Sequence, residues 1–184
     1  MAELFAQIAV SLDNFVEDAD RKIDWMTEDN SSAGLHTATL ESIDGMIFGR
    51  TAWEAIAAFW REAASQNHDD ADMAAQARLM ADLPKYVLTR SSAATAAHSN
   101  VHLVTLDDIP RISAEAKRPI AVFAGAGVIQ ALIARLSAIN LIRYPVILGG
   151  GTPLFAEDSA RRELKLQGTK PFESGAVLER YGFK

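Results

Sequence analysis

The stretch IAVFAGAGVIQALIARL, residues 120–136, decides the fold class of this 184-residue chain. Ile120 to Phe123 is a short apolar run and reads as a buried strand. Ala124, Gly125, Ala126 and Gly127 follow, small residues at which a backbone can turn tightly. Val128, Ile129, Leu132, Ile133 and Leu136 then recur at the spacing of a helix that faces a core. The order strand, tight turn, helix recurs upstream, where Met46 to Phe48 reads as a buried strand, Gly49 ends it, and Thr51 to Trp60 is helical.

Working outward, Leu4 to Leu12 is expected as a first strand, followed by a polar loop marked by Asp13, Asn14, Asp18 and Asp20. Ser31 or Ser32 can cap a helix running to about Ile43. Lys85 to Thr89, after Pro84, and Val101 to Val104 read as further strands. Ile139 to Ile147 is apolar and β-branched, is interrupted by Pro145, and leads into the irregular loop Gly149-Gly150-Gly151-Thr152-Pro153. Leu164 to Gln167 and Ala176 to Tyr181 look like closing strands. Strands alternate with helices and then pair up, so the expected architecture is α/β, a mainly parallel sheet with an antiparallel C-terminal edge. No internal repeat or linker divides the chain.

Composition narrows the function. With 49% hydrophobic and 23% charged residues the chain suits one globular domain. It has no Cys, which excludes disulfides, thiolate ligands and cysteine nucleophiles. No leader pattern or membrane-length apolar run is read from the sequence, so a cytoplasmic location is expected. A net charge of −6 disfavours nucleic-acid binding and leaves any anion site to a few specific groups. The Ala-rich segment Arg61 to Leu83 carries His68, Asp69, Asp70 and Asp72, which read as a solvated loop or helix start rather than a metal site.

Three segments follow predicted strands, where open α/β sheets place ligands: Gly49-Arg50-Thr51, Thr89-Arg90-Ser91 and Ala124-Gly125-Ala126-Gly127. The last lets a backbone approach an anion at a helix start, although a tight turn without a ligand reads equally well. It is not GxGxxG, because Gln130 stands three after Gly127. Arg50 and Arg90, flanked by hydroxyl residues, each read alone as surface arginines. Together with the glycine turn they suit a ligand with a pyrophosphate and one further phosphate, as in NADP.

The segments IAVSLDNFV, IDWM, DGMIFGRTAWE, KYVLTRS, IAVFAGAGVIQALI and YPVILGGGTPLF, spanning residues 8–155, resemble the dihydrofolate-reductase-like superfamily. The nearer resemblance is to stand-alone relatives of the reductase domain of riboflavin biosynthesis, the RibD C-terminal family. The resemblance implies a three-layer fold over the whole chain, residues 1–184, and a reductase that uses NADPH on a pyrimidine- or pterin-like heterocycle. It implies contacts from Gly49, Arg50 and Thr51 to cofactor phosphates, from Thr89, Arg90 and Ser91 to the adenosine ribose and its 2′-phosphate, and from Ala124 to Val128 to the pyrophosphate. The nicotinamide would lie near Val10 and Phe123. A homodimer is also implied, with the C-terminal strands as the surface a partner could cover.

On the substrate side, Asp13 matches an SLDG-type aspartate, with Asn14 in place of glycine, and either orients a polar heterocycle or caps its own turn. Trp25 resembles the tryptophan bordering the dihydrofolate reductase site, with a core aromatic as the alternative. Where those enzymes carry a pterin-binding carboxylate this chain has Asn30, next to Asp29, which counts against authentic dihydrofolate reductase. Gln7 stands where riboflavin reductases usually carry a lysine, and His36 and Thr37 stand where a substrate-phosphate arginine is sought. Ser137 and Ala138 replace an acidic pair. A nucleotide-binding protein without catalysis is the remaining alternative.

Overall fold

The computed structural model describes residues 1–27, 30–65, 71–89, 100–157 and 159–184. In chain order the first elements are β1 (Leu4–Val10), β2 (Phe15–Glu17), α1 (Asn30–Ser42), β3 (Gly45–Gly49), α2 (Arg50–Ser65), α3 (Ala71–Asp82) and β4 (Lys85–Leu88). There follow β5 (Val101–Val104), α4 (Ile109–Glu115), β6 (Ile120–Val122), α5 (Ala126–Leu132), β7 (Ala138–Arg143), β8 (Thr152–Pro153), β9 (Leu164–Pro171) and β10 (Val177–Phe183).

Eight strands form one sheet in the order β5-β4-β3-β6-β1-β7-β10-β9. The strands from β5 to β7 run parallel, while β10 pairs antiparallel with both β7 and β9. After β5 the chain returns to insert β6 between β3 and β1, then passes to the far side of β1 as β7. These two directions of travel need helices on opposite faces if every crossover is right-handed. The packing agrees. Leu40 of α1 with Ile43 just after it, Trp53 and Ile56 of α2 and Met80 of α3 meet Met46 and Phe48 on one face. Ile109 and Ile112 of α4 and Ile129 and Leu132 of α5 meet Ala6, Val10, Ile47 and Val122 on the other. The result is the expected three-layer arrangement.

The alternation inside β3 shows how a fully apolar strand serves both layers: Met46 and Phe48 turn to α1–α3 and Ile47 turns to α4–α5. All three residues of β6 are buried for the same reason. The antiparallel rim arises because β9 and β10 are joined by a short turn at Glu173 to Ala176, with Gly175 at φ +84°.

Several expected boundaries move. The helix after residue 123 starts at Ala126 with Gly125 as N-cap, and it ends at Leu132, so Ile133 and Leu136 belong to the turns that follow. The strand expected to reach Ile147 stops at Arg143, because Pro145 offers no N–H and the β10 partner ends at Val177. Within the Ala-rich segment α2 continues to Ser65, and α3 begins at Ala71 with Asp72 in its first turn, the expected helix start, and buries Gln76, Ala77 and Met80. His68, Asp69 and Asp70 lie outside the described residues, and among those described no group of His and carboxylates could hold a metal. The side chains of Ser31 and Ser32 are also outside what is described; the backbone of α1 begins at Asn30. Among the described residues no helix is long and apolar enough to cross a membrane.

Candidate functional site

Parallel pairing brings the C-terminal ends of β1, β3, β4 and β6 to one edge of the sheet, so Val10, Gly49, Thr89 and Phe123 lie along a single rim. The order in which the chain visits the strands reverses here, as the return to β6 follows the outward run to β5, and open sheets form a crevice at such a point. Phe123 extends β6 by donating its N–H to the Ile47 carbonyl at 2.9 Å. Its ring stacks on Phe48 at 6.0 Å, and Phe48 meets Trp53 at 5.4 Å.

Gly49 is held close to α5: a Cβ added there would lie 3.1 Å from Val128 Cγ2. The Gly49-Arg50-Thr51 turn and the Gly125 to Val128 turn are therefore neighbours in space. Gly125 has ordinary extended torsions (φ −69°, ψ 170°), so its value is not conformational freedom. A Cβ added at Gly125 or Gly127 would meet nothing within 4 Å, so both positions open onto free space before the helix. Intrahelical bonds begin with Val128 and Ile129 donating to the Gly125 carbonyl. The N–H groups of Ala126 and Gly127, ahead of the first of these bonds, thus have no acceptor within the helix.

Arg50, the first residue of α2, is 71% exposed and pairs with Glu54 at 3.8 Å. An exposed pair at this spacing contributes little, so the guanidinium is available to an anion. Thr51 is exposed on the next position, Ala124 is buried behind the turn, and Thr89 is half-buried with its N–H donated to Val104. Arg90 and Ser91 lie outside the described residues. The Val10 side chain is fully buried in the α4–α5 core and its carbonyl accepts from the Tyr144 N–H at 2.8 Å, so this position contributes packing and backbone direction to the rim.

On the substrate side, Asp13 is bound into its own surroundings. Its Oδ1 accepts from Ser11 Oγ at 2.7 Å and from the Leu148 N–H at 3.1 Å, while Oδ2 accepts from the Gly149 N–H at 2.8 Å. The Ser11 hydroxyl, the largest influence, together with the Gly149 and Leu148 N–H groups outweighs the opposing desolvation and holds the carboxyl down at about 2. Asp13 thereby ties the β1–β2 loop to the glycine loop. That loop packs tightly, since a side chain on Gly151 (φ +134°) would collide with the Glu17 carbonyl. Trp25 stands edge-on to Tyr144 at 5.6 Å, belongs to the cluster around Ile142 and Leu178, and donates its indole N–H to Lys22 O at 3.3 Å. It is half-buried, with one part in the core and one at the surface. Asp29 and the side chain of Asn30 are outside the described residues.

Sequence reasoning did not single out Arg143. At the end of β7 it is 22% exposed, pairs with Glu179 at 3.1 Å, and donates to Asn14 Oδ1 at 2.9 Å and to the Ser11 carbonyl at 3.4 Å. One arginine fixes the loop that Asp13 also fixes, and Asn14 sits there at φ +66°. The available signal was a lone cation closing the apolar run Ala138 to Arg143. A cavity of about 510 Å³ opens at the opposite edge of the sheet, among Leu136, Ser137, Glu163 and Phe183. It is distant from the converging turns and belongs to a different surface.

Comparison with known proteins places this geometry. The fold is that of the dihydrofolate-reductase-like proteins: a dihydrofolate reductase from Enterococcus faecalis, determined in complex with NADP(H), matches with a TM-score of 0.65 at 13% identity, over 99% of this chain and 96% of that one. A putative riboflavin biosynthesis protein from Shewanella sp. PV-4 matches with a TM-score of 0.76 at 23% identity, over 100% of this chain and 99% of that one. The uncharacterized protein YyaP of Bacillus subtilis is 27% identical over 182 residues, covering 95% of this chain and 91% of its own. The RibD C-terminal domain model matches residues 2–178, and the chain belongs to that family, whose members are typically reductases.

Proposed function

We propose that this chain is an NADPH-dependent reductase of a pyrimidine- or pterin-like heterocycle. The observation that carries the reading is the approach of Gly49 to Val128, which makes one cradle of two separate turns. The open space at Gly125 and Gly127 fits a pyrophosphate, which would accept from the Ala126 and Gly127 N–H groups and from Arg50. Bound NADPH would supply the hydride. The chain's own part is to orient the reactants and keep water out: Phe123, backed by Phe48 and Trp53, offers an apolar wall at the rim, and the loop fixed by Asp13 and Arg143 bounds the other side.

Thr89, Arg90 and Ser91 are assigned to the ribose and its 2′-phosphate. A charge-assisted bond of that kind contributes roughly 1.5–3 kcal/mol, so NADPH should bind about tenfold to a hundredfold more tightly than NADH. Calorimetric titration with both cofactors, on wild type and Arg90→Ala, tests this. Equal affinities, or a preference unchanged by the substitution, would remove the NADP assignment. Loss of reduced-nicotinamide absorbance with a heterocycle then tests catalysis.

We also propose a homodimer through the C-terminal rim. β9 is the outermost strand of the sheet, and its Leu166 is 53% exposed, features that a second copy would cover.

A further inference from the structure

Gln7 occupies the middle of β1 on the face covered by α1, and it is 5% exposed. Its Oε1 lies 3.4 Å from Thr39 Oγ1, the same hydroxyl that donates to the Leu35 carbonyl at 2.8 Å. Its Nε2 is buried and has no hydrogen-bond partner among the described residues. A buried amide donor without an acceptor is costly, and native folds leave few of them.

The surroundings of this donor are apolar and in two parts. Phe5, two residues before Gln7, belongs to the cluster that includes Phe123. Ala9, two residues after it, belongs to the cluster that includes Trp25. Gln7 therefore lies at the seam between two aromatic-bearing clusters, below the rim on which Phe123 sits. Ligand pockets have this composition, apolar walls with one or two fixed polar groups. In register, Gln7 aligns with half-buried Asn140 on β7, and Asn140 aligns with Arg180, whose side is exposed to solvent.

We propose that Gln7 is a specificity-determining residue, its amide N–H donating to a ring carbonyl of an uncharged, planar heterocycle seated in this seam. A phosphate at the same point would bury its charge beside an amide and a hydroxyl, with the nearest cation in the register two strands away; desolvation disfavours it. The inference rests on the reductase reading for the presence of a heterocycle, but its test does not require the cofactor.

The probes are 5,6-diaminouracil, which carries ring carbonyls, and 4,5,6-triaminopyrimidine, which has none. Wild type should bind the first more tightly by about tenfold or more, and Gln7→Met should abolish that preference. Gln7→Glu, which replaces the donor by an acceptor of nearly equal size, should bind the uracil at least as poorly as Gln7→Met. Thermal melting checks that the variants fold. Independently of them, the Gln7 side-chain amide resonances of ¹⁵N-labelled wild type should shift when 5,6-diaminouracil is added. A role confined to the Thr39 contact would move the melting temperature and leave the preference and the resonances unchanged. Equal affinity for the two probes, preference for the triaminopyrimidine, binding of neither, or preference retained in Gln7→Met overturns the proposal. Failure of NADPH to bind while the carbonyl preference persists overturns the reductase reading alone.

Discussion

Replacing Arg143 by Met should destabilise the protein more than any single contact it makes would suggest. The side chain donates through Nε and Nη2 to Glu179 at 3.1–3.3 Å, and through Nη1 to Asn14 and the Ser11 carbonyl. Methionine fills a similar volume without the charge, so the main loss is electrostatic: Glu179, 19% exposed, keeps its charge and loses its counterion. For a fully buried pair that loss is about 3–5 kcal/mol. Partial exposure lets water reach the carboxylate, which sets the expectation near the lower end, about 3 kcal/mol. For a chain of this size that corresponds to roughly 6–12 °C in melting temperature. The double variant Arg143→Met/Glu179→Gln removes the stranded charge and should recover about half of the loss, a coupling of about 1–2 kcal/mol. Melting of the four proteins of the cycle measures both quantities. Strictly additive effects, or a drop of under about 2 °C in Arg143→Met, would mean that the pair is too hydrated to matter and that the loop is fixed by Asp13 alone.

Gly125→Val should melt as wild type does, because its side chain enters open space, and should lose NADPH binding by calorimetry; normal binding would show the glycine turn to be structural only. Asp13 has its carboxyl pKa depressed from 3.8 to about 2, so its contribution to stability is present above about pH 4 and disappears as pH falls through about 2. The melting-temperature gap between wild type and Asp13→Asn should therefore shrink over that interval, and a gap independent of pH would contradict the hydrogen-bonded carboxylate. Light scattering at micromolar concentration should give twice the chain mass, and Leu166→Lys on the outer strand should shift it toward one chain; a monomeric wild type would retire the dimer.

The parallel core of the sheet was legible because its strands are buried on both faces: Gly45–Gly49 and Ile120–Val122 contain no polar residue, and few other structures need such runs. The helix after Phe123 was legible for the complementary reason, with Ile129 and Leu132 repeating on one face. What escaped has little local signal. α4 has only Ile109 and Ile112 as core contacts in seven residues, and β2 and β8 pair with each other across more than a hundred positions. α3 was obscured because alanine is helical by propensity and carries almost no amphipathic pattern. The Arg143–Glu179 pair is invisible along the chain because its partners come together only through the β7–β10 register.

The two halves of the candidate site depend on the sequence in different ways. The cofactor half is made of backbone: a close approach at Gly49, open space at Gly125 and Gly127, and N–H groups at the start of α5. Such features require only small residues at a few positions, so a fold can keep them while most of its sequence drifts, and a dihydrofolate reductase sharing 13% of residues still superposes over 99% of this chain. The substrate half is made of side chains, and there each residue is individually replaceable. Asp13 and Arg143 spend their hydrogen bonds on the loops of the rim, which leaves recognition to groups nearer the sheet. Gln7 has the one buried side-chain polar atom that the described residues leave unpaired. On the proposed reading, a change at that position alters which ring is accepted while leaving the proposed pyrophosphate cradle, at the ends of β3 and β6, untouched. On that proposal specificity can therefore diverge without loss of the cofactor, and the Gln7 variants should separate the two by changing heterocycle preference at constant NADPH affinity.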